Sequence, residues 1–458
     1  MNDDRADCLI ENGQITDEDG RLSPAWIRIR RGIIDEIAKA PLPSIADEQI
    51  IDAREQVICP GMVNAHAHSP LSATKGTTDR MDHPTFMWTN QKDTMGWTAD
   101  EARAVTTLAA ADMLRHGITA VIDHVPEQNA SLETVAPIVE TWRDSGLRAA
   151  IALRIFDGRY DDIGDGGYVA DQNQLRALPT DDLLDMCQEA IERWHQPSQG
   201  LQIFIGPSNS ERCSDRLLAD GHRLATDQST GFHAHLLETK VQRESCQHLH
   251  GVTPVGRLER LGALSARCSF AHCVWTDAAD LELFAARQAV VVHNPHSNAK
   301  LGVGLMPLAA MLNAGCEVAL GTDGASTNDG LNLHEAMALS LLLQRSDGTL
   351  PRHHWPTAND ALRMATKGGA AAMLLRDRIG VIAEGAFADL VFYDLKALDL
   401  CPLNDLAQQL TFAERGRSIR RVMVGGVTLF DNGRFRTIDI ESALDTVIAL
   451  RHRKAKTP

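Results

Sequence analysis

Between residues 57 and 324 one pattern recurs: a short apolar run followed by a longer segment of helical character. The apolar runs are 57–63, 118–123, 147–155, 201–206, 231–236, 268–274, 289–293 and 317–322. The helical segments between them include 100–116, 131–145, 181–194, 214–228, 254–261, 277–287 and 305–314. Most begin near a capping residue or a proline, and several stop at Gly117, Gly146, Gly262 or Gly315. Near-continuous apolar strands alternating with helices predict a parallel sheet covered on both faces. Eight such units in about 270 residues match the size of an α/β (β/α)8 TIM barrel. An open doubly wound sheet is the alternative. The absence of a Gly-rich phosphate loop after the first strand speaks against it.

The flanks read differently. Residues 6–58 look like short strands, with turns at Glu11-Asn12-Gly13 and Arg31-Gly32. Residues 331–344 and 358–376 look helical. Strands resume at 379–393, and 420–430 reads as a hairpin across Gly425-Gly426. Each set of flanking strands is too small to bury a core alone. A small β-sandwich built from residues 1–58 plus 377–458 is therefore expected beside a barrel of residues 59–376. The tail, 439–456, is expected to be a surface helix that frays.

The net charge of −16 disfavours nucleic acid and anionic membranes as partners. The nine cysteines are scattered without a Cys-x-x-Cys, which fits a reducing compartment. Residues 1–5 are acidic and do not resemble a signal peptide. No apolar run approaches the roughly 20 residues of a membrane span. A cytoplasmic enzyme with a small-molecule substrate is the expectation.

In such a barrel, functional side chains sit at the C-terminal ends of the strands. The first strand ends in His66-Ala-His68, whose alternate side chains share a face about 6.6 Å apart along the backbone. The fifth carries His233, His235 and Glu238, and the sixth His272. The seventh carries His293, His296 and Asn298, and the eighth ends in Asp323. Any one of these could be structural; their convergence on strand ends points to a metal centre. Imidazoles with a carboxylate suit zinc and also ferrous iron. Glu238 is placed either to shuttle protons or to balance a helix N-terminus.

The stretches Pro60-Gly-Met-Val-Asn-Ala-His66-Ala-His68, His235-Leu-Leu-Glu238-Thr, Ala271-His272-Cys, the run from His293 to Gly302 and Gly321-Thr-Asp323-Gly resemble the amidohydrolase superfamily. The resemblance is to its mononuclear aminohydrolase branch of adenosylhomocysteine/methylthioadenosine, guanine and 8-oxoguanine deaminases and triazine hydrolases. Gly385–Leu390 resembles a strand of that family's accessory sandwich. The resemblance implies one divalent metal, zinc first and iron or manganese as alternatives, held by His66, His68, His235 and Asp323. It implies that His272 polarises the reacting centre, that Asp323 also takes a proton from water, and that Glu238 passes protons to the ring nitrogen and the leaving amine. His233 shares a face with His235, and the His-x-x-Glu spacing favours His235 as ligand. A homo-oligomer, dimer or higher, is likewise implied. The fourth strand lacks the lysine that binuclear relatives carbamylate, and no Pro-Cys-x-x-Cys of the unrelated zinc deaminases exists.

Substrate contacts are sought in the loops. Phe86 and Trp88 would stack on a flat ring or pack the loop against the barrel. Arg154 would hold a carboxylate or carbonyl, and Ser208-Asn209-Ser210, with Asn209 central, would hydrogen-bond a ring. His124 and His296 are either substrate contacts or structural. The expected reaction is hydrolytic deamination of a purine, pterin, pyrimidine or triazine. The alternatives are another leaving group (chloride, alkylamine or amide nitrogen) at the same site, or an inactive binding scaffold.

Overall fold

The computed structural model describes residues 7–16, 21–158 and 177–455. The segment 1–5 read above and residue 456 lie outside them. Eight parallel strands follow one another around a ring: Met62–His68 (β1), Ile118–Val125 (β2), Arg148–Ile155 (β3), Leu201–Pro207 (β4), Phe232–Leu236 (β5), Cys268–His272 (β6), Val290–His293 (β7) and Glu317–Leu320 (β8). The last strand is split. Its first part pairs with β7, and Asp323–Gly324, just beyond, pairs with β1 and closes the ring. A side chain at Gly321, in the gap, would collide with Asn294 and His66.

Two layers of core hold the barrel. Outside, helices such as Ala99–Arg115 and Leu132–Ser145 bury apolar faces on the strands, and Trp142 reaches through to donate its indole N–H to Asp123 at 2.7 Å. Inside, Val63, Ala65, Ala120, Ile122, Ala150, Ala152, Phe204, Val292 and Ala319 pack with Ala370–Met373 and Ile379. That inner plug leaves only the C-terminal ends of the strands for a site. The register of β1 against β2 slips between Asn64 and Ala67. Val63 and Ala65 can therefore join the plug while His66 and His68, one step further, still reach the site.

The run 57–63 is not one strand, as expected, but two. Gln56–Pro60 pairs antiparallel with Leu390–Asp394, and the chain enters the barrel only at Met62. Apolar pattern alone does not reveal which partner a strand hydrogen-bonds. The strands of both termini form one mixed nine-stranded sheet, with Ile10, Ile27, Ile29, Ile34, Ile58, Leu390, Phe392 and Met423 at its core. Glu11-Asn12-Gly13 is not a turn; Cys8–Thr16 continues through it with a register shift, and Asn12 takes φ 60°. Arg31-Gly32 and Gly425-Gly426 are true hairpin turns, all four at positive φ. Arg148, at the start of β3, makes a buried two-pronged bond to Asp389 (2.6 and 3.0 Å) that ties barrel to sheet. The tail is docked rather than frayed. Ile440–Ala455 packs Ala443, Val447 and Leu450 against Ala104 and Val105, and Arg453 pairs with Glu101 at 2.6 Å.

A candidate metal centre

His66, His68, His235 and Asp323 meet above the inner plug. Asp323 Oδ1 lies 3.4 Å from both His66 Nε2 and His68 Nε2. The Nε2 atoms of His68 and His235 are 3.1 Å apart. His66, His235 and His272 also lie within ligating range of one another, as do His68, His124 and His235. All of these side chains are buried. His272 and Asp323 hold φ of 77° and 59°, unusual for residues with side chains and characteristic of functional positions.

The far nitrogens decide what the near ones can do. His235 Nδ1 lies 2.6 Å from the carbonyl of Ser208, which only accepts, so the ring's hydrogen sits there. His68 Nδ1 lies 2.9 Å from Glu127 Oε1, an ion-pair contact outside hydrogen-bond geometry. His235 Nε2 therefore presents a lone pair to His68 Nε2, 3.1 Å away, a spacing at which both nitrogens could turn to one cation. His66 Nδ1 contacts His233 Nε2 at 2.8 Å, and His233 Nδ1 contacts Ser269 Oγ at 2.7 Å. His233 thus backs up His66 rather than joining the four.

The electrostatics agree. Burial pushes His66 down to about 4 and His235 well below the usual range, so both rings are neutral at pH 7, the form that can bind a cation. Burial also works against a charge on His68, but Glu127 and Asp323 outweigh it and raise the group. The surroundings of His68 therefore call for positive charge, which a divalent ion supplies. Asp323 is ionised. Burial opposes this, but its bond to His66 and the nearby His68 hold it well below the carboxylate range. The donor set fits a divalent ion bound by three imidazoles and one carboxylate.

A cavity of about 400 Å³, counting its open mouth, adjoins this cluster. Glu238 and His272 face it, with Glu238 Oε2 3.9 Å from His272 Nε2 and 3.0 Å from His83 Nε2. Burial raises Glu238, yet His272 and His83 hold it at about 2. Glu238 does not cap the following helix, Lys240–His250; Thr239 and Gln242 do that with a capping box. His272 Nδ1 meets Asn298 Oδ1 at 2.9 Å, which aims Nε2 at Glu238.

The remaining expectations divide. Phe86 and Asn209 line the cavity, with Met87 and Asn90 beside Phe86. Trp88 does not; it sits 40% exposed with Lys92 over its ring, because two residues past Phe86, about 200° round the helix, it faces away from the barrel. Arg154 reaches the cavity wall but is already engaged, by Glu127 at 2.8 Å and Ser208 Oγ at 3.2 Å, so it is no free clamp for a carboxylate. His296 is outside the cavity lining, and His124 Nε2 is tied to the Gly206 carbonyl at 3.0 Å. Glu127 was not singled out by sequence. For Glu127 the one available signal was an arginine at the end of β3 that needs an acidic partner once buried.

Residues 57–429 match the amidohydrolase family. The chain belongs to the amidohydrolase family. It is 30% identical over 98% of both chains to a 5-methylthioadenosine/S-adenosylhomocysteine deaminase from Syntrophobacter fumaroxidans. Among solved structures it resembles atrazine chlorohydrolase from Arthrobacter aurescens in complex with zinc. The TM-score is 0.89 and the identity 26%, covering 97% of this chain and 99% of the other. It also resembles an adenosine deaminase from Xanthomonas campestris with bound zinc, at TM-score 0.86 and 26% identity over 99% of both chains.

Proposed function

We propose that this amidohydrolase removes an amino group from an aminated N-heterocycle (purine, pterin, pyrimidine or triazine) by hydrolysis, using one divalent metal. The observation that carries the reading is the meeting of three imidazoles and Asp323 beside a cavity onto which Glu238 and His272 open. His66, His68, His235 and Asp323 are the residues that would hold the ion. When bound, such an ion supplies Lewis acidity and makes water a nucleophile near neutral pH.

The chain's own groups account for the protons. Hydrolytic deamination adds water at the ring carbon, protonates a ring nitrogen and then the amine, and releases ammonia. Asp323, held ionised, accepts the proton that the attacking water gives up. Glu238 also starts as a carboxylate. It takes up the two protons that the water releases, directly or by way of Asp323, and gives one to the ring nitrogen and the other to the departing amine, so that Glu238 and Asp323 both end as carboxylates. His272, oriented by Asn298, hydrogen-bonds the oxygen added at the reacting carbon. Phe86 offers a flat apolar face to the ring, and Asn209 a polar contact.

Zinc is the proposed ion, supported by the zinc-bound neighbours. The proposal also takes the cytoplasm as the compartment, consistent with nine cysteines that form no disulfide, and a homo-oligomer as the assembly. Among the described residues no helix is long and apolar enough to cross a membrane. A second reading keeps the site and changes the leaving group; its support is the likeness to a chlorohydrolase. The test is a release assay on zinc-replete protein across a panel of aminated and chlorinated heterocycles. Ammonia supports deamination, chloride supports the second reading, and no release of either overturns both.

A further inference from the structure

We propose that Glu127 and Arg154 form a buried brace joining two of the metal-binding histidines by their far nitrogens. The inference rests on the metal-centre reading above. The path runs through one ion-pair contact and three hydrogen bonds. His68 Nδ1 is 2.9 Å from Glu127 Oε1, and Arg154 Nη1 donates to Glu127 Oε2 at 2.8 Å. Arg154 Nε donates to Ser208 Oγ at 3.2 Å, and the Ser208 carbonyl accepts from His235 Nδ1 at 2.6 Å. Five strands contribute in turn: β1 gives His68, the end of β2 leads to Glu127, β3 gives Arg154, β4 leads to Ser208 and β5 gives His235. Glu127 and Arg154 are 2% and 1% exposed, so water does not compete for these bonds.

The brace has two consequences. It holds the His235 ring in the tautomer that turns a bare Nε2 lone pair toward His68 Nε2, 3.1 Å away, and sets a carboxylate against His68 Nδ1. It also neutralises Glu127 with a guanidinium, so that this carboxylate orients His68 without becoming a ligand itself. His66 is backed by the uncharged His233–Ser269 pair instead, so the charged brace serves one side of the centre only. Glu127 and Arg154 are thus positioning residues. Partners of this kind are worth about 10–100-fold in metal affinity.

The experiment uses the full chain, stripped of metal with a chelator and titrated with Zn2+ against a chromogenic competitor. It compares wild type, Glu127→Gln, Arg154→Met and the double variant, with the visible spectrum of the Co2+-loaded forms as a second readout. Glu127→Gln preserves volume, so it carries the test if Arg154→Met does not fold. The expected result is a 10–100-fold weaker affinity for Glu127→Gln, a shifted Co2+ spectrum, and a double variant no weaker than the worse single. Wild-type affinity with an unchanged spectrum in Glu127→Gln, or losses that multiply in the double variant, would overturn the brace. A wild-type chain that binds neither ion overturns the metal-centre reading as well, and is told apart by the wild-type titration alone.

Discussion

Replacing Glu238 by glutamine isolates proton transfer from every other property of the site. The amide has the same shape and can still meet His83, now at 3.0 Å, and the helix cap at Thr239 and Gln242 is untouched. Glu238 belongs to neither the inner plug nor the four proposed ligands, so folding and metal content should hold. What is lost is a carboxylate kept ionised at about 2, against its own burial, by His272 and His83. A positioned acid/base contributes about 10²–10⁴-fold, so kcat should fall by that factor, or about 3–5 kcal/mol of barrier. A coupled ammonia assay at saturating substrate, with metal content measured on the same sample, reads the effect. A kcat within twofold of wild type at equal metal content would refute the shuttle assignment. Loss of metal together with activity would show that Glu238 acts through the centre instead.

Further outcomes follow from the same geometry. Phe86→Ala should raise KM roughly 2–10-fold by removing a ring that lines the cavity, whereas Trp88→Ala, on the outward side, should leave KM unchanged in steady-state assays. Asp389→Ala leaves Arg148 buried without its two-pronged partner and should cost about 3–5 kcal/mol in urea unfolding. Asp112 is buried and hydrogen-bonded or paired with His116 and Lys75, which overcome the cost of burial and depress its carboxyl. A depressed carboxyl stabilises the fold above its unfolded value. The gap in unfolding free energy between wild type and Asp112→Asn should therefore be full at pH 7 and shrink below about pH 4.

Much of the fold was legible because barrel strands and their helices differ in period. The runs at 118–123, 147–155, 201–206 and 231–236 lie within a residue or two of β2 to β5. The strand-end rule then brought His66, His68, His235, His272 and Asp323 to one end of the barrel, where the structure shows them together. What escaped depends on partners distant in sequence. The break at Gly61 is set by hydrogen bonds to Leu390–Asp394, some 330 residues on. Trp88 and Phe86 look alike in sequence, and only helix phase separates them. Arg154 resembled a substrate clamp until burial beside Glu127 showed it already used. The tail helix was misjudged because the partners of its buried side chains, Ala104 and Val105, are far away in sequence.

Metal stoichiometry tied to turnover tests the central claim most directly. Purified chain, analysed for zinc, iron and manganese and then assayed for ammonia release, should hold about one ion per chain. Chelation should abolish ammonia release, and zinc should restore it. Full ammonia release from metal-free protein, or a requirement for two ions per chain, would contradict the account.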